Sequence, residues 1–227
     1  NLNILNFTYF LIKSQIILLS DFFYLMVMLS LSVFFKGLGI GSGLIVAIGA
    51  QNAFVLKQGL KQQYVFWLCL ICALSDSILI ACGVLGFAEI MTASPILITV
   101  AKYLGATFLF VYGAKAFYAA FKTNQGMELD SSQKQTLTQA LVTCLAFTWL
   151  NPHVYLDTIV LIGSVATQLE DKISFALGSI LASWIFFFSL GYGARFLKPL
   201  FINPKAWKIL DFIIGCVMWS IAISILI

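Results

Sequence analysis

The sequence predicts an all-α, polytopic membrane protein of six transmembrane helices arranged as two inverted three-helix repeats. Three observations carry that expectation: a scarcity of charge, apolar stretches of spanning length, and one sizeable hydrophilic loop that divides the spans three and three. Of 227 residues, 61% are hydrophobic and only 10% charged, with a mean hydropathy of +1.01. A soluble domain carries about 25% charged residues, so too few charges remain here to coat a globule facing water. Several stretches run about 20 residues almost without charge, the length that crosses a hydrocarbon core of roughly 30 Å.

The six spans read as 34–56, 64–88, 96–120, 138–163, 174–194 and 208–227. Lys57 to Gln63 reads as a polar turn, Ser94-Pro95 as a helix entry, and Lys122 to Gln135 as the long loop. Gln168 to Lys172 and Lys198 to Lys208 supply the last two breaks. Basic residues set the orientation, because cytoplasmic loops are rich in Lys and Arg. The first loop holds Lys57 and Lys61, the third Lys122 and Lys134, the fifth Arg195, Lys198, Lys205 and Lys208. The second holds only Glu89, and the fourth sets Glu170 and Asp171 against Lys172. Odd-numbered loops are therefore expected on the cytoplasmic side.

Residues 1–25 are expected to lie outside a 26–227 core. Phe7 to Tyr24 is apolar yet carries Lys13 and Asp21, and the first methionines are Met26 and Met28. The segment reads as an upstream extension, with a seventh span or an uncleaved signal-like segment as the alternatives. The repeats are expected over about 34–120 and 138–227. Three spans per half is an odd number, so the halves run in opposite directions, as in many secondary transporters.

The net charge of +4 is too small to suggest nucleic acid. Cys69 and Cys72 form a C-x-x-C inside an apolar run, where small buried helix residues explain them better than metal or redox chemistry. Gly39, Gly41 and Gly43 resemble a nucleotide loop only superficially, since no strand precedes them and no completed fingerprint follows. No Walker lysine, His-x-x-x-His pair or serine–histidine–acid set stands out, so neither cofactor nor metal is expected. With no ATPase domain, any pumping draws on an ion gradient.

Ionisable groups deep in a membrane cost about 3 kcal/mol unless paired or wetted, which makes each one a functional candidate. Asp76, within Ser75-Asp76-Ser77, and Asp157, within Tyr155-Leu156-Asp157, both fall near the middle of their spans. They read either as acids that meet a cation or proton in a central cavity, or as hydrogen-bonded glue between helices. Pro152 sits inside the fourth span and is expected to kink it by freeing the carbonyl of Thr148. Gly49-Ala50-Gln51-Asn52 is the matching weakness of the first half. Paired interruptions are a pointer to a transport site. Gly37 to Gly43 reads as close helix packing.

At 100° per residue, Thr148, Asn151, Tyr155 and Thr158 share one stripe, while His153, Asp157 and Ser164 fall on another that faces away. His153, the single histidine, reads as a proton relay or as an ordinary hydrogen-bonding group. Lys102 reads as a snorkelling side chain, or alternatively as a partner for an acid or for a substrate carboxylate.

The motifs Gly49-Ala-Gln-Asn-Ala-Phe-Val55, Ser75-Asp76 and Thr148-Trp-Leu-Asn-Pro-His-Val-Tyr-Leu-Asp-Thr158 resemble the lysine/arginine exporter family. Phe110-Val-Tyr-Gly113 and Gly215-Cys-Val-Met-Trp219 fit the same pattern, so the resemblance covers about Met26 to Ile227. It implies secondary export of arginine, lysine or analogues such as canavanine across the bacterial inner membrane. The family's intramembrane acids fall on Asp76 and Asp157. Neutral exporters of the superfamily carry a proline-glycine-proline signature where this chain has Gly-Ala-Gln-Asn, which favours the basic branch.

Expected partners are thus a basic amino acid, a coupling proton and the bilayer, and homo-oligomerisation is compatible with the sequence. Export of neutral amino acids, a passive channel or metal-ion exporter, and an intramembrane enzyme with an Asp76–Asp157 pair stand as alternatives. Asp76 and Asp157 are expected at the cargo's positive end, since a guanidinium suits carboxylates through two parallel hydrogen bonds. The breaks at Gln51-Asn52 and Asn151-Pro152 are expected at its amino-acid end, because a helix starting mid-membrane presents unpaired N–H groups.

Overall fold

The computed structural model describes residues 26–28, 30–46, 49–86, 95–122 and 135–227. The expectations for residues 1–25, for Glu89 and Ser94, and for Lys134 with most of the long loop lie outside the described residues. The described chain is a helical, polytopic membrane protein: α1 Met26–Val46, α2 Ala50–Lys61, α3 Val65–Val84, α4 Pro95–Lys122, α5 Leu137–Trp149, α6 Pro152–Thr167, α7 Lys172–Leu197 and α8 Pro204–Leu226. A 3₁₀ turn, Lys198–Ile202, joins the last two. Large apolar side chains such as Phe66, Trp67, Ile185 and Ile213 point outward, as lipid-facing positions must.

Four spans fall within a few residues of their expected ranges, and the first and fourth are rearranged. The first begins at Met26 rather than 34, and it divides into α1 and α2 on either side of Gly49, whose backbone is extended (φ −102°, ψ 169°). Lys57 to Lys61, read as turn, is helix. The turn follows it, with Gln62 and Tyr64 both at positive φ (54° and 56°). Gln62 and Gln63 N–H reach back to the carbonyls of Gly59 and Gln58, each at 3.1 Å, which closes the helix end.

The fourth span is cut, not kinked. α5 ends at Trp149, α6 starts at Pro152, and the two lie 58° apart. Pro152 occupies the first position of a new helix, where its missing N–H removes no bond, and Asn151 Oδ1 caps that helix from His153 N–H at 3.2 Å. α6 then runs as a π-helix over Tyr155–Leu161.

Small residues set the helix contacts. Gly37 and Gly41 of α1 lie on Phe175 and Ser179 of α7, where an added Cβ would clash, and Ser179 Oγ donates to Gly37 O at 3.0 Å. Gly39 and Gly43 meet nothing within 4 Å, so only the i, i+4 pair of that glycine run packs. Gly163 of α6 seats on the backbone of Gly83 in α3, and Gly83 in turn seats on the backbone of Thr158 and Ile159 in α6. α4 and α8 interlock reciprocally: Gly113 faces Trp219, and Gly215 faces Phe117, four residues beyond each other's glycine. The Phe117 and Trp219 rings meet edge to face at 4.9 Å.

The first and fifth loops share one end of the bundle, where Lys198 Nζ reaches Gln62 Oε1 at 3.5 Å. The start of α1 and the fourth loop share the other, where Ser30 Oγ donates to Asp171 Oδ2 at 2.8 Å.

Candidate functional site

The two helix breaks face each other across a cavity of about 260 Å³, near the lower end of the range for small-ligand sites. Its polar lining comes from Gly49, Gln51, Asn52, Asp76, Asn151, His153, Asp157 and Thr158, with apolar walls from α1, α7 and α8. Both acids are therefore in one chamber, and its described lining contains no Lys or Arg.

Each polar group is held differently. Asp76 is 8% exposed and accepts a bond from Ser183 Oγ of α7 at 2.8 Å. Its neighbours are clamped as well: Trp149 Nε1 donates to Ser75 Oγ at 3.3 Å, and Trp184 Nε1 to Ser77 Oγ at 3.1 Å. α3 is thus fixed from α5 and α7 on both sides of the acid. Asp157 is exposed on the π turn of α6.

Asn52 Nδ2 donates to Ile45 O at 2.8 Å, returning a partner to a carbonyl that the first break leaves open. Gln51 is 9% exposed, and its Nε2 has no hydrogen-bond partner among the described residues. It lies beside the Cys72 thiol, a weak acceptor. A buried amide donor left this way costs about 1–3 kcal/mol, and a ligand carboxylate would recover that. α2 has no side-chain cap at Gly49, so its first N–H groups also open on the chamber.

Wheel arithmetic put Asp157 and His153 on a face opposite to Asn151 and Thr158, and the structure corrects this. The break resets the helix phase at Pro152, and the π turn adds a residue per turn: Ile162 N–H bonds back to Asp157 O, five positions earlier. Residues of both stripes consequently line the cavity.

Tyr155, Thr148, Lys102 and Pro152 lie outside the lining. Tyr155 Oη donates to Trp149 O at 2.5 Å, bracing the carbonyl that the second break exposes. Thr148 Oγ1 donates to Cys144 O at 3.2 Å. Lys102 is half-buried away from the chamber. Pro152 Cδ lies near Gly105 of α4, which lets the Leu150 carbonyl approach closely. His153 lines the chamber, and its Nε2 sits 3.2 Å from Ser224 Oγ of α8. Cys69 and Cys72 are buried free thiols, Cys72 Sγ lying 3.1 Å from Cys144 Sγ.

Sequence reasoning missed a second buried acid. Asp211 of α8 is 6% exposed and pairs with Lys57 of α2, Nζ to Oδ1 2.5 Å. Lys57 reads from the sequence as a loop cation that sets orientation, and Asp211, near the start of the last expected span, is not singled out there. A lone acid in the apolar run Ile209-Leu210-Asp211-Phe212-Ile213 was the available signal.

A family model described as LysE type translocator matches residues 42–227. The arginine exporter protein ArgO of Escherichia coli K12 is 42% identical over 196 residues, covering 86% of this chain and 93% of the relative. The ArgO proteins of Shigella flexneri (43% over 198 residues, 86% and 93%) and Klebsiella pneumoniae 342 (42% over 196, 85% and 92%) are similar to the same extent. No solved structure matches the chain. Broken first spans, intramembrane acids and a match over most of the chain lead to one conclusion: this protein belongs to the LysE type translocator family.

Proposed function

We propose that this protein exports basic amino acids (arginine, lysine and analogues such as canavanine) across the bacterial inner membrane, coupled to protons. One observation carries the reading: Asp76 and Asp157 line a single chamber whose described lining offers no Lys or Arg to balance them. Two carboxylates held this way need a cation, and a guanidinium or ammonium cargo supplies it. Asp76, dry and oriented by Ser183, is the specific contact. Asp157, on the exposed π turn, collects and releases.

Gln51 and the uncapped start of α2 take the cargo carboxylate. Asn52 and Asn151 keep the two breaks open, and Tyr155 braces the second. Reciprocal seating of α4 and α8, and one break per half, support two inverted repeats, α1–α4 and α5–α8. The end that gathers Lys57, Lys61, Arg195, Lys198, Lys205 and Lys208 is cytoplasmic under the positive-inside rule.

Efflux from vesicles loaded with radiolabelled arginine, lysine or leucine tests the reading. Arginine and lysine should leave faster than from protein-free vesicles and stop with an uncoupler, while leucine stays. Leucine or homoserine efflux without arginine efflux would move the protein to the neutral branch.

A further inference from the structure

The chamber does not reach the basic end of the bundle. Along α2, Gln51 lines the chamber, Phe54 follows one turn later, and Lys57 and Gln58 another turn on, about 9 Å beyond Gln51 at 1.5 Å per residue. Phe54 is 1% exposed and packs on Phe147 at 5.5 Å, and Phe147 packs on both Phe108 and Tyr112 at 4.9 Å. Behind this aromatic layer, Lys57 and Asp211 tie α2 to α8 with side chains 19% and 9% exposed. Gln58 Nε2 ties α2 to Gln135 Oε1 at 2.9 Å. The Gln58 carbonyl oxygen Oε1 is buried and has no partner among the described residues.

This layer combines a buried carboxylate held by a lysine with an acceptor, on the residue next to that lysine in the chain, that has no partner among the described residues. An ammonium satisfies a carboxylate as a point charge, whereas a guanidinium covers both oxygens at once. Removing Lys57 alone would strand a buried charge, which is strongly unfavourable. Replacing Lys57 by an incoming cation would not.

We propose that Asp211 is a second, transient station for the cationic cargo and that Lys57 is its built-in competitor, so that the pair forms a gate opened by the cargo itself. In the described state Lys57 holds Asp211 and the passage is shut. A basic amino acid arriving from the end where the first and fifth loops meet takes the Asp211 carboxylate, with Gln58 Oε1 as a further acceptor. Lys57 then swings free, α2 and α8 part, and the cargo moves on to Asp76. The proposal rests on the basic-cargo reading above.

The test uses the full-length protein with its five cysteines replaced by alanine and one reporter, Thr158→Cys, in the chamber. A membrane-impermeant maleimide is applied to right-side-out and inside-out vesicles separately, with a Gln62→Cys reporter marking the basic face. From that face the parent should label slowly, and arginine should accelerate labelling several-fold while leucine does not. Lys57→Met and Asp211→Asn should each label at least tenfold faster without arginine, and the charge swap Lys57→Asp with Asp211→Lys should return labelling to the slow rate. Lys57→Arg, which keeps the positive charge opposite Asp211, should hold the gate more tightly and blunt the arginine response several-fold.

A parent-like arginine response in Lys57→Arg overturns the gate, as does slow, parent-like labelling without arginine in folded Lys57→Met and Asp211→Asn. If arginine fails to protect Thr158→Cys from the opposite face, the cargo reading falls, and the variant comparison without arginine still decides the gate.

Discussion

Asp76→Asn separates shape from charge at the chamber. The amide oxygen of Asn can still accept from Ser183 Oγ, now 2.8 Å from Asp76 Oδ2, so the fold keeps its clamp and loses only the negative charge. A hydrogen bond to a charged group contributes about 1.5–3 kcal/mol, and a guanidinium places two on one carboxylate. Losing one and weakening the other costs about 3 kcal/mol, or about 100-fold in affinity at 1.4 kcal/mol per decade. Asp157 is exposed where it lines the chamber, so with the chamber wetted the same change there should cost at most about 1 kcal/mol, or roughly fivefold. Arginine counterflow in proteoliposomes, measured over a range of concentrations, reads both as shifts in half-saturation, with thermal unfolding in detergent as the control for folding. An unchanged half-saturation in Asp76→Asn would refute the reasoning. So would a larger effect in Asp157→Asn, because the burial of the two acids would then not govern their strength.

Asn151→Ala removes the cap on His153 N–H and should cost about 1 kcal/mol of local stability, raising half-saturation for arginine and lysine alike in the same counterflow assay. Gly105→Ala drives a methyl into the Leu150 carbonyl and should lower the unfolding temperature by several degrees, whereas Gly39→Ala, with nothing within 4 Å, should leave it equal or higher. Asp171 is held below its ordinary value of 3.8 by bonds from the Ser174 hydroxyl and backbone N–H and from Ser30. A lowered folded-state pKa gives stability that is complete above the unfolded value and lost as pH falls through the folded one. The unfolding temperature in detergent should therefore drop as pH goes below 3.8, and Asp171→Asn should flatten that part of the profile.

What the sequence made legible was whatever is costly in a membrane. Asp76, Asp157 and the Asn151-Pro152 break announced themselves because acids and prolines are expensive in apolar helices, and all four line the chamber or adjoin it. Gln51 and Asn52 were found by position in the matching break, although nothing in the sequence separated the unpartnered amide of Gln51 from the engaged one of Asn52. The facing of α6 was illegible because a fixed 100° per residue assumes one uninterrupted α-helix. The reach of the first span to Met26 was hidden too, since hydropathy simply continues upstream into residues 1–25. Lys57 and Asp211 lie 154 positions apart, and each looks like a span-end charge until tertiary contact pairs them.

The π turn of α6 has a consequence for inheritance. In register it amounts to a surplus residue: an α-helix would cover the same rise with one fewer. A single-residue deletion within Tyr155–Leu161 could let the span close up as ordinary helix, with Gly163 keeping its seat on Gly83 and the bundle intact. What would change is which side chains of that turn face inward, and with it the meeting of Asn151, His153, Asp157 and Thr158 around one chamber. Folding and the lining of the chamber are thus written on separate features of the same helix, and a lineage could reshape its chamber here without losing its protein.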